Sequence, residues 1–398
     1  MYVLSISEEV LYFVCGLGIL QGILLATILY AHPKSDKSVN TALALYILFL
    51  SIVMTIPILI RILGWRNTFF VQPFPLLIGP CLYFYLRSFK ERITIKKAWP
   101  HFVPFILFFF PIYANIAYMS HKYPFGEEIN PEILRQPSTL ILMYFRLAHL
   151  IVYYFLARKQ LNSYQKSIRH LFSETTQINL QWVGLLINGY LCLVIAGIIV
   201  FPLMTMYPEH VTLLLLIMLS ITTPYIYLAT LKGVSQPSVW QIQGHLKKEQ
   251  VEEEFHEAEQ LEAEIGSHKE KKTPKTEDRK IEPIVKKILT LMEEEKLYHE
   301  AELTLQQLAN RLQMPTYLVS QAINEGLQRN FYDLINGYRV EEAKQLLIDP
   351  KNQNFTILSI GFEAGFNSKT TFNTVFKKFT GSTPTEYREK MKMRAAVA

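Results

Sequence analysis

The stretch IGFEAGFNSKTTFNTVFKKFTGSTPTEYR, Ile360 to Arg388, decides how the rest of the chain is read. Thr356, just upstream, is a capping residue, and Ile357, Ile360, Gly361 and Ala364 then recur on one face of a helix. Gly361 allows a close helix crossing, and Gly365 suits a helix stop. Asn367-Ser368 predicts the next helix start, with Phe372, Val375, Phe376 and Phe379 as its buried stripe. Thr370, Asn373, Thr374 and Lys377 fall on the opposite side. Their donors and acceptors suit base edges, and Lys369, Lys377 and Lys378 suit phosphates. Thr383-Pro384-Thr385-Glu386 predicts a final helix, with Pro at its first position and Glu at its third.

The same design stands upstream. In LTLQQLANRLQMPTYLVSQAIN, Leu303 to Asn324, Thr304 and Gln307 form a capping box, and Leu303 and Leu308 form the hydrophobic staple around it. The pattern predicts a helix to about Leu312, a break at Gln313-Met314-Pro315 and a second helix. In that second helix Val319, Ala322 and Ile323 face inward, while Tyr317, Ser320, Gln321 and Asn324 face outward. Gly337 to Ile348, GYRVEEAKQLLI, reads as a connecting helix closed by Asp349-Pro350, because a proline disfavours helix at the residue before it. From Ile281 onward there are 15 Lys+Arg against 14 Asp+Glu, whereas from Lys344 there are 9 against 4. The charge therefore implies a local basic surface rather than a wholly basic domain.

Two helix-turn-helix units joined by one helix resemble the DNA-binding domain of the AraC/XylS family of bacterial transcription regulators. The residues that carry the likeness are IxxIGFEAGF (Ile357 to Phe366), FxxVFKKFTG (Phe372 to Gly381), TPTEYR (Thr383 to Arg388), RVEEAKQLL (Arg339 to Leu347) and the first unit. The resemblance runs from about Ile281 to Lys390. It implies double-stranded DNA as partner, no enzymatic activity and no cofactor. It also implies two recognition helices set to read successive major-groove turns, about 34 Å apart. The chain departs from the family at Gln328, where a glycine is common after the first recognition helix, and at Met314-Pro315-Thr316, where Ser-Pro is usual.

The residues before Lys232 are of another kind. Half of all residues are hydrophobic and 19% are charged, but the long uncharged runs all precede Lys232, and most acidic residues follow Glu249. Seven segments reach the ~20 apolar residues that a bilayer crossing needs: Leu11–Tyr30, Thr41–Ile60, Thr68–Leu86, His101–Ser120, Thr139–Ala157, Trp182–Met204 and Val211–Thr230. The expected fold is thus all-α, a seven-helix transmembrane bundle followed by a cytoplasmic domain with two helix-turn-helix units. The domain bounds are 1–231 for the bundle, 232–280 for a charged, partly helical linker, 281–390 for the DNA-binding domain and 391–398 for a tail.

Loops one, three and five carry eleven Lys and Arg, against four in loops two, four and six. The cation-rich set marks the cytoplasmic side. The N-terminus is then outside and the C-terminal domain inside, in the cytoplasmic membrane of a bacterium. Glu8 and Glu9 precede the first span where a signal peptide has cations, and no A-x-A-like cleavage site follows, so a retained helix is expected.

Polar residues inside spans are costly unless partnered, which makes Arg146, His149 and Asn188 the sensor candidates for a small-molecule or membrane signal. Arg146 and His149 lie three apart and share a helix face; Gln21, Gln72 and Asn115 are further intramembrane amides. Gly18-x-x-x-Gly22 with Ala26 makes a small-residue groove, which fits either a homodimer face or packing within the bundle. Cys15, Cys81 and Cys192 lie in apolar runs without metal-ligand spacing. His256-Glu257-Ala258-Glu259-Gln260 misses the second histidine of H-E-x-x-H, and no span holds an aspartate for intramembrane proteolysis. A membrane receptor or transporter with a cytoplasmic protein-interaction module is the competing reading. Against it, the outward stripes of the tail are polar and nothing suggests a peptide groove.

Overall fold

A computed structural model of the chain describes residues 2–31, 37–63, 70–91, 93–122, 134–175, 181–234 and 275–397. Among the described residues there is no strand, only one isolated antiparallel bridge between Phe172 and Thr304. The chain divides into two compact units. One holds Met1–Tyr164 with Leu180–Gln243, the other Gln165–Asn179 with Gly244–Ala398.

The first unit contains α1 (Tyr2–Ala31), α2 (Lys37–Met54), α3 (Ile56–Leu63), α4 (Pro75–Arg87), α5 (Ile95–Ala98), α6 (Val103–Lys122), most of α7 (Pro137–Leu171), α8 (Gln181–Met206) and α9 (Val211–Val234). Six described stretches are long and apolar enough to cross a membrane: Tyr12–Ala31, Val39–Leu59, Ile95–Tyr118, Pro137–Leu171, Trp182–Met206 and Leu213–Gly233. They coincide with six of the seven expected spans. The third, expected at Thr68–Leu86, is helical only from Pro75, after turns at 70–74 that hold Pro73. At 13 residues α4 is about 20 Å long, short of the roughly 30 Å of hydrocarbon. It is sunk in the bundle instead, with every residue from Leu76 to Leu82 buried.

In this unit α1 packs on α2 and α9, α2 on α4, and α8 on α9. The Gly18–Gly22 groove is filled from within the unit: a Cβ at Gly18 would strike the Met54 side chain, and one at Gly22 would strike Ser51. Hydrogen bonds also tie these helices to one another. Tyr46 and Tyr225 share one at 2.5 Å, Tyr225 donates to the Leu186 carbonyl at 2.9 Å, and Tyr190 donates to the Leu150 carbonyl at 2.9 Å.

The second unit contains the end of α7, then α10 (Lys275–Glu293), α11 (Leu305–Leu312), α12 (Thr316–Gln321), α13 (Phe331–Ile348), α14 (Ile357–Glu363), α15 (Lys369–Thr380) and α16 (Pro384–Val397). Its helix starts follow from capping chemistry. The Thr304–Gln307 box forms in both directions, Thr304 Oγ1 accepting from the Gln307 amide and Gln307 Oε1 from the Thr304 amide. Asn330 caps α13, Thr356 caps α14 and Ser368 caps α15. The connecting helix α13 begins six residues before the expected Gly337, because Asn330 supplies that cap. Thr383 and Glu386 make a second reciprocal box at α16.

Val340, Ala343 and Leu347 of α13 pack with Ile360, Ala364, Phe366, Phe372, Val375 and Phe376 in one core. A Cβ at Gly361 would stand 2.6 Å from the Phe372 ring, so only glycine lets α14 and α15 approach this closely. Two expectations are corrected here. Phe379 is 40% exposed rather than buried: its ring lies on the shallow surface at Gly337, next to the helix stop at Gly381. The second helix of the first helix-turn-helix is one short α-helix, α12, followed by a π turn, Ala322–Gly326, closed by the Leu327 amide donating to the Ala322 carbonyl at 3.2 Å. The charged run Lys247 to Ile265, expected as a helical linker, lies outside the described residues, and so does His256 to Gln260.

Candidate nucleic-acid interface

α15 presents the stripe read from its sequence. Phe372, Val375 and Phe376 are fully buried, which turns the opposite face outward. There Lys369, Thr370, Thr374 and Lys377 are exposed and Asn373 is half-buried. From Thr370 to Lys377 the stripe runs two helical turns, about 10 Å. Ser368 Oγ accepts from the Thr371 amide at 3.1 Å and fixes the N-terminal end of the helix. Lys378 is placed differently from Lys377. Its Nζ lies 2.6 Å from Asp333 Oδ1 on α13 and 5.4 Å from the centre of the Phe379 ring, so it braces α15 against the connector.

The first helix-turn-helix is less open. Tyr317, Ser320, Gln321 and Asn324 are all half-buried rather than turned fully outward. Gln321 donates to Glu325 at 3.0 Å, and Asn324 donates to Ser320 Oγ at 3.3 Å. Asn324 is also hydrogen-bonded to His170.

His170 belongs to a segment that no motif or periodicity places here. Residues 165–175 dock into the centre of the C-terminal unit. Ser173, fully buried, donates from its amide and its hydroxyl to the Leu303 carbonyl, at 3.2 and 2.7 Å. Its own carbonyl accepts from Asn336 Nδ2 at 2.8 Å, and its Oγ accepts from Arg339 Nη2 at 3.3 Å. Glu174 Oε1 accepts from Thr371 Oγ1 at 3.3 Å. The segment therefore touches the end of the first reading helix through His170, the connector through Ser173, and the start of the second reading helix through Glu174.

Arg339 is the hub of this contact. Its side chain is fully buried and donates to the carbonyls of Tyr298 (2.8 Å), Glu300 (2.7 Å) and Ala301 (3.2 Å) as well as to Ser173. Burial lowers its pKa to about 10, against the opposing pull of Glu174 and Tyr332, so it stays charged at neutral pH. A buried guanidinium is tolerable only when its donors are matched, and Ser173 is one of the matching acceptors.

The sensor candidates separate. Arg146, on α7, faces a cavity of about 380 Å³ inside the first unit. Its Nη1 donates to the Gln72 carbonyl and to Gln72 Oε1, at 3.3 and 3.1 Å. His149 does not line that cavity; both its ring nitrogens are buried without a hydrogen bond, and the ring packs on Tyr153, 4.8 Å between centres. Asn188 is exposed on the outer surface of α8 and is not brought to the other two. Gln72 and Asn115, read only as intramembrane amides, do reach the cavity. Among the described residues no cluster of His, Cys, Asp or Glu is arranged to hold a metal.

A family model described as a helix-turn-helix domain matches residues 308–390. The match supports a DNA-binding domain of the AraC/XylS type, double-stranded DNA as its partner and the role of a DNA-binding transcription regulator, a class that generally has no enzymatic activity. It covers α12 to α15 whole and none of the apolar bundle. No curated protein and no solved structure matches the chain.

Proposed function

We propose that this chain is a membrane-tethered, sequence-specific transcription regulator in which a signal received by the apolar bundle (1–231) alters promoter binding by the C-terminal domain (281–390). The bundle's outer surface favours the membrane. Phe13, Leu20, Phe110, Ile141 and Leu185 are each at least 67% exposed, a burden in water and none in lipid. The loop cations favour the reading domain in the cytoplasm of a bacterium, where tethered protein reaches DNA without crossing a nuclear envelope; with α4 sunk in the bundle, six crossings bring the N-terminus to that same side, not outside as expected from seven.

The observation that carries the coupling is the docking of residues 165–175. α7 supplies residues to both units, 137–164 to the first and 165–171 to the second, and the chain directly after it enters the core around Arg339. A change in the bundle that favours one setting of α7 then acts on the connector and on both reading helices. Such a signal must bind one state of the bundle better than the other.

The test uses the full-length protein in lipid nanodiscs, mixed with sheared bacterial genomic DNA. Retention of a limited set of fragments, with an affinity that falls steeply as salt rises, is the expected result. No retention at low salt would turn the reading toward a receptor with a protein-interaction tail. A reporter fused after Ala398 reads the orientation independently: activity confined to the periplasm would overturn the tethering scheme.

A further inference from the structure

The cavity around Arg146 combines two features that seldom meet by accident. Its wall is overwhelmingly apolar, with Leu50, Ile112, Leu142, Val194 and Leu219 among the lining side chains, drawn from α2, α6, α7, α8 and α9. At about 380 Å³ it has the size of a small-molecule site. Into this wall projects one guanidinium. Arg146 is enclosed by the bundle, and its accessible part faces the cavity. A guanidinium has five N–H donors, and the two hydrogen bonds Arg146 makes both leave Nη1 for Gln72 oxygens, which are neutral. Among the described residues no carboxylate pairs with it. Asn115, which also lines the cavity, keeps a buried Oδ1 without a partner while its Nδ2 donates to Thr139 at 3.3 Å. A cation at membrane depth that lacks an anion is expensive, and the geometry that repairs it is a planar, bidentate oxyanion.

We infer that this cavity binds a small amphiphilic anion: a single carboxylate-like head held by the free edge of Arg146, carried on an apolar body that fills the greasy remainder. A protonated acid would place its O–H on Asn115 Oδ1, but the ionised form makes the stronger pair with the guanidinium, so charge and shape select together. An uncharged alcohol of equal length leaves the guanidinium unpaired, and a cationic amphiphile is repelled. The inference deepens the sensor reading of the bundle and rests on it. Binding here closes a gap between α2, α4, α7, α8 and α9, which gives a ligand the means to favour one packing of α7.

The probe is decanoate, added to the full-length protein in phosphatidylcholine nanodiscs, with thermal unfolding as the readout. Decanoate raises the midpoint in a concentration-dependent manner, and decanol at equal concentration does not. Arg146→Gln abolishes the shift, Arg146→Lys keeps a reduced one, and Leu142→Trp blocks it by filling the cavity while leaving the charge in place. A cooperative unfolding transition without probe, at a midpoint close to that of the unaltered protein, shows that the bundle of each variant is folded; should Arg146→Gln fail that check, Leu142→Trp carries the test. A second set of nanodiscs containing phosphatidylglycerol and no decanoate separates the two sources of such an anion. An Arg146-dependent shift there assigns the site to a lipid headgroup, and its absence alongside a decanoate shift assigns it to a free acid. Equal shifts with decanol, a decanoate shift that survives both Arg146→Gln and Leu142→Trp, or no shift in either nanodisc would overturn the inference. A chain recovered in the soluble fraction without detergent would refute the membrane reading itself, before any probe is added.

Discussion

Ser173 Oγ lies 3.3 Å from Arg339 Nη2 at the packed centre of the C-terminal unit, although 166 positions separate the two residues in sequence. The serine is the part of this cage that arrives from outside the helix-turn-helix domain. Of the other acceptors, the carbonyls of Tyr298, Glu300 and Ala301 belong to the turn between α10 and α11, and Asn336 Oδ1, at 3.3 Å from Nη1, to α13 itself. Docking or withdrawing residues 165–175 therefore changes how well a buried cation is satisfied.

Ser173→Ala deletes a hydroxyl that accepts from Arg339 and donates to the Leu303 carbonyl at 2.7 Å. Losing these bonds at a fully buried position should cost about 1–3 kcal/mol. The expected readout is a lower denaturant midpoint for the C-terminal transition and faster amide exchange at 298–305. Ser163→Ala, at an exposed serine, is the control and should leave both unchanged. Unaltered exchange in Ser173→Ala would mean that the segment does not dock in solution, and the coupling route through α7 would fall with it.

Gln328 occupies left-handed backbone, φ 53°, just after the π turn. A side chain there costs roughly 1–2 kcal/mol, partly offset because glycine loses more chain entropy on folding. Gln328→Gly should therefore stabilise the domain by up to about 1 kcal/mol, seen as a higher unfolding midpoint with an unchanged m-value. Destabilisation would show that the bond from Gln328 Nε2 to the Glu325 carbonyl at 2.8 Å outweighs the backbone strain.

Gly365 presents the reverse case. Its φ is +93°, and a Cβ would stand 2.6 Å from the Tyr298 carbonyl oxygen, the same oxygen that accepts from Arg339. Backbone, not a movable side chain, blocks the space. Gly365→Ala should lower domain stability by at least about 2 kcal/mol and weaken DNA binding through the displaced α14–α15 pair. Wild-type stability would mean that the turn after α14 can move without cost.

What the sequence revealed was local. Thr304 with Gln307, Thr356 and Ser368 act on amides three residues away, so their pattern is visible in the chain; Asn330 acts in the same way, but the expected helix start at Gly337 passes over it. The stripe Phe372, Val375 and Phe376 follows helix periodicity for the same reason. Gln328 was visible as the replacement of an expected glycine, and its positive φ explains why glycine suits that position. Phe379 continues the same period yet emerges at the surface, because the core ends before the helix does. The shortening of α4 could be suspected from Pro73 and Pro75, but a count of apolar residues passes over it. The Ser173–Arg339 contact has no local signature: it pairs an ordinary serine in a loop with an arginine on a connector, and nothing in the spacing of either points to the other.

The outward stripe of α15 yields the sharpest test of the reading surface. Asn373 can make a bidentate contact with adenine, so Asn373→Ala should cost ~1–3 kcal/mol on the preferred site and relax the preference at one base pair. Lys377 is exposed and suited to phosphate. Lys377→Ala should weaken all sequences alike and reduce the salt slope by about one. Lys378 divides the structural expectation from the compositional one. Composition counts it as a third phosphate cation, yet its Nζ is held 2.6 Å from Asp333. Lys378→Ala should therefore change the salt slope less than Lys377→Ala does. Because the pair is largely exposed, the stability lost with it should be under about 1 kcal/mol. Equal salt slopes for the two lysine variants would show that Lys378 leaves Asp333 when DNA arrives, and an unchanged footprint in Asn373→Ala would move base recognition to another face of the domain.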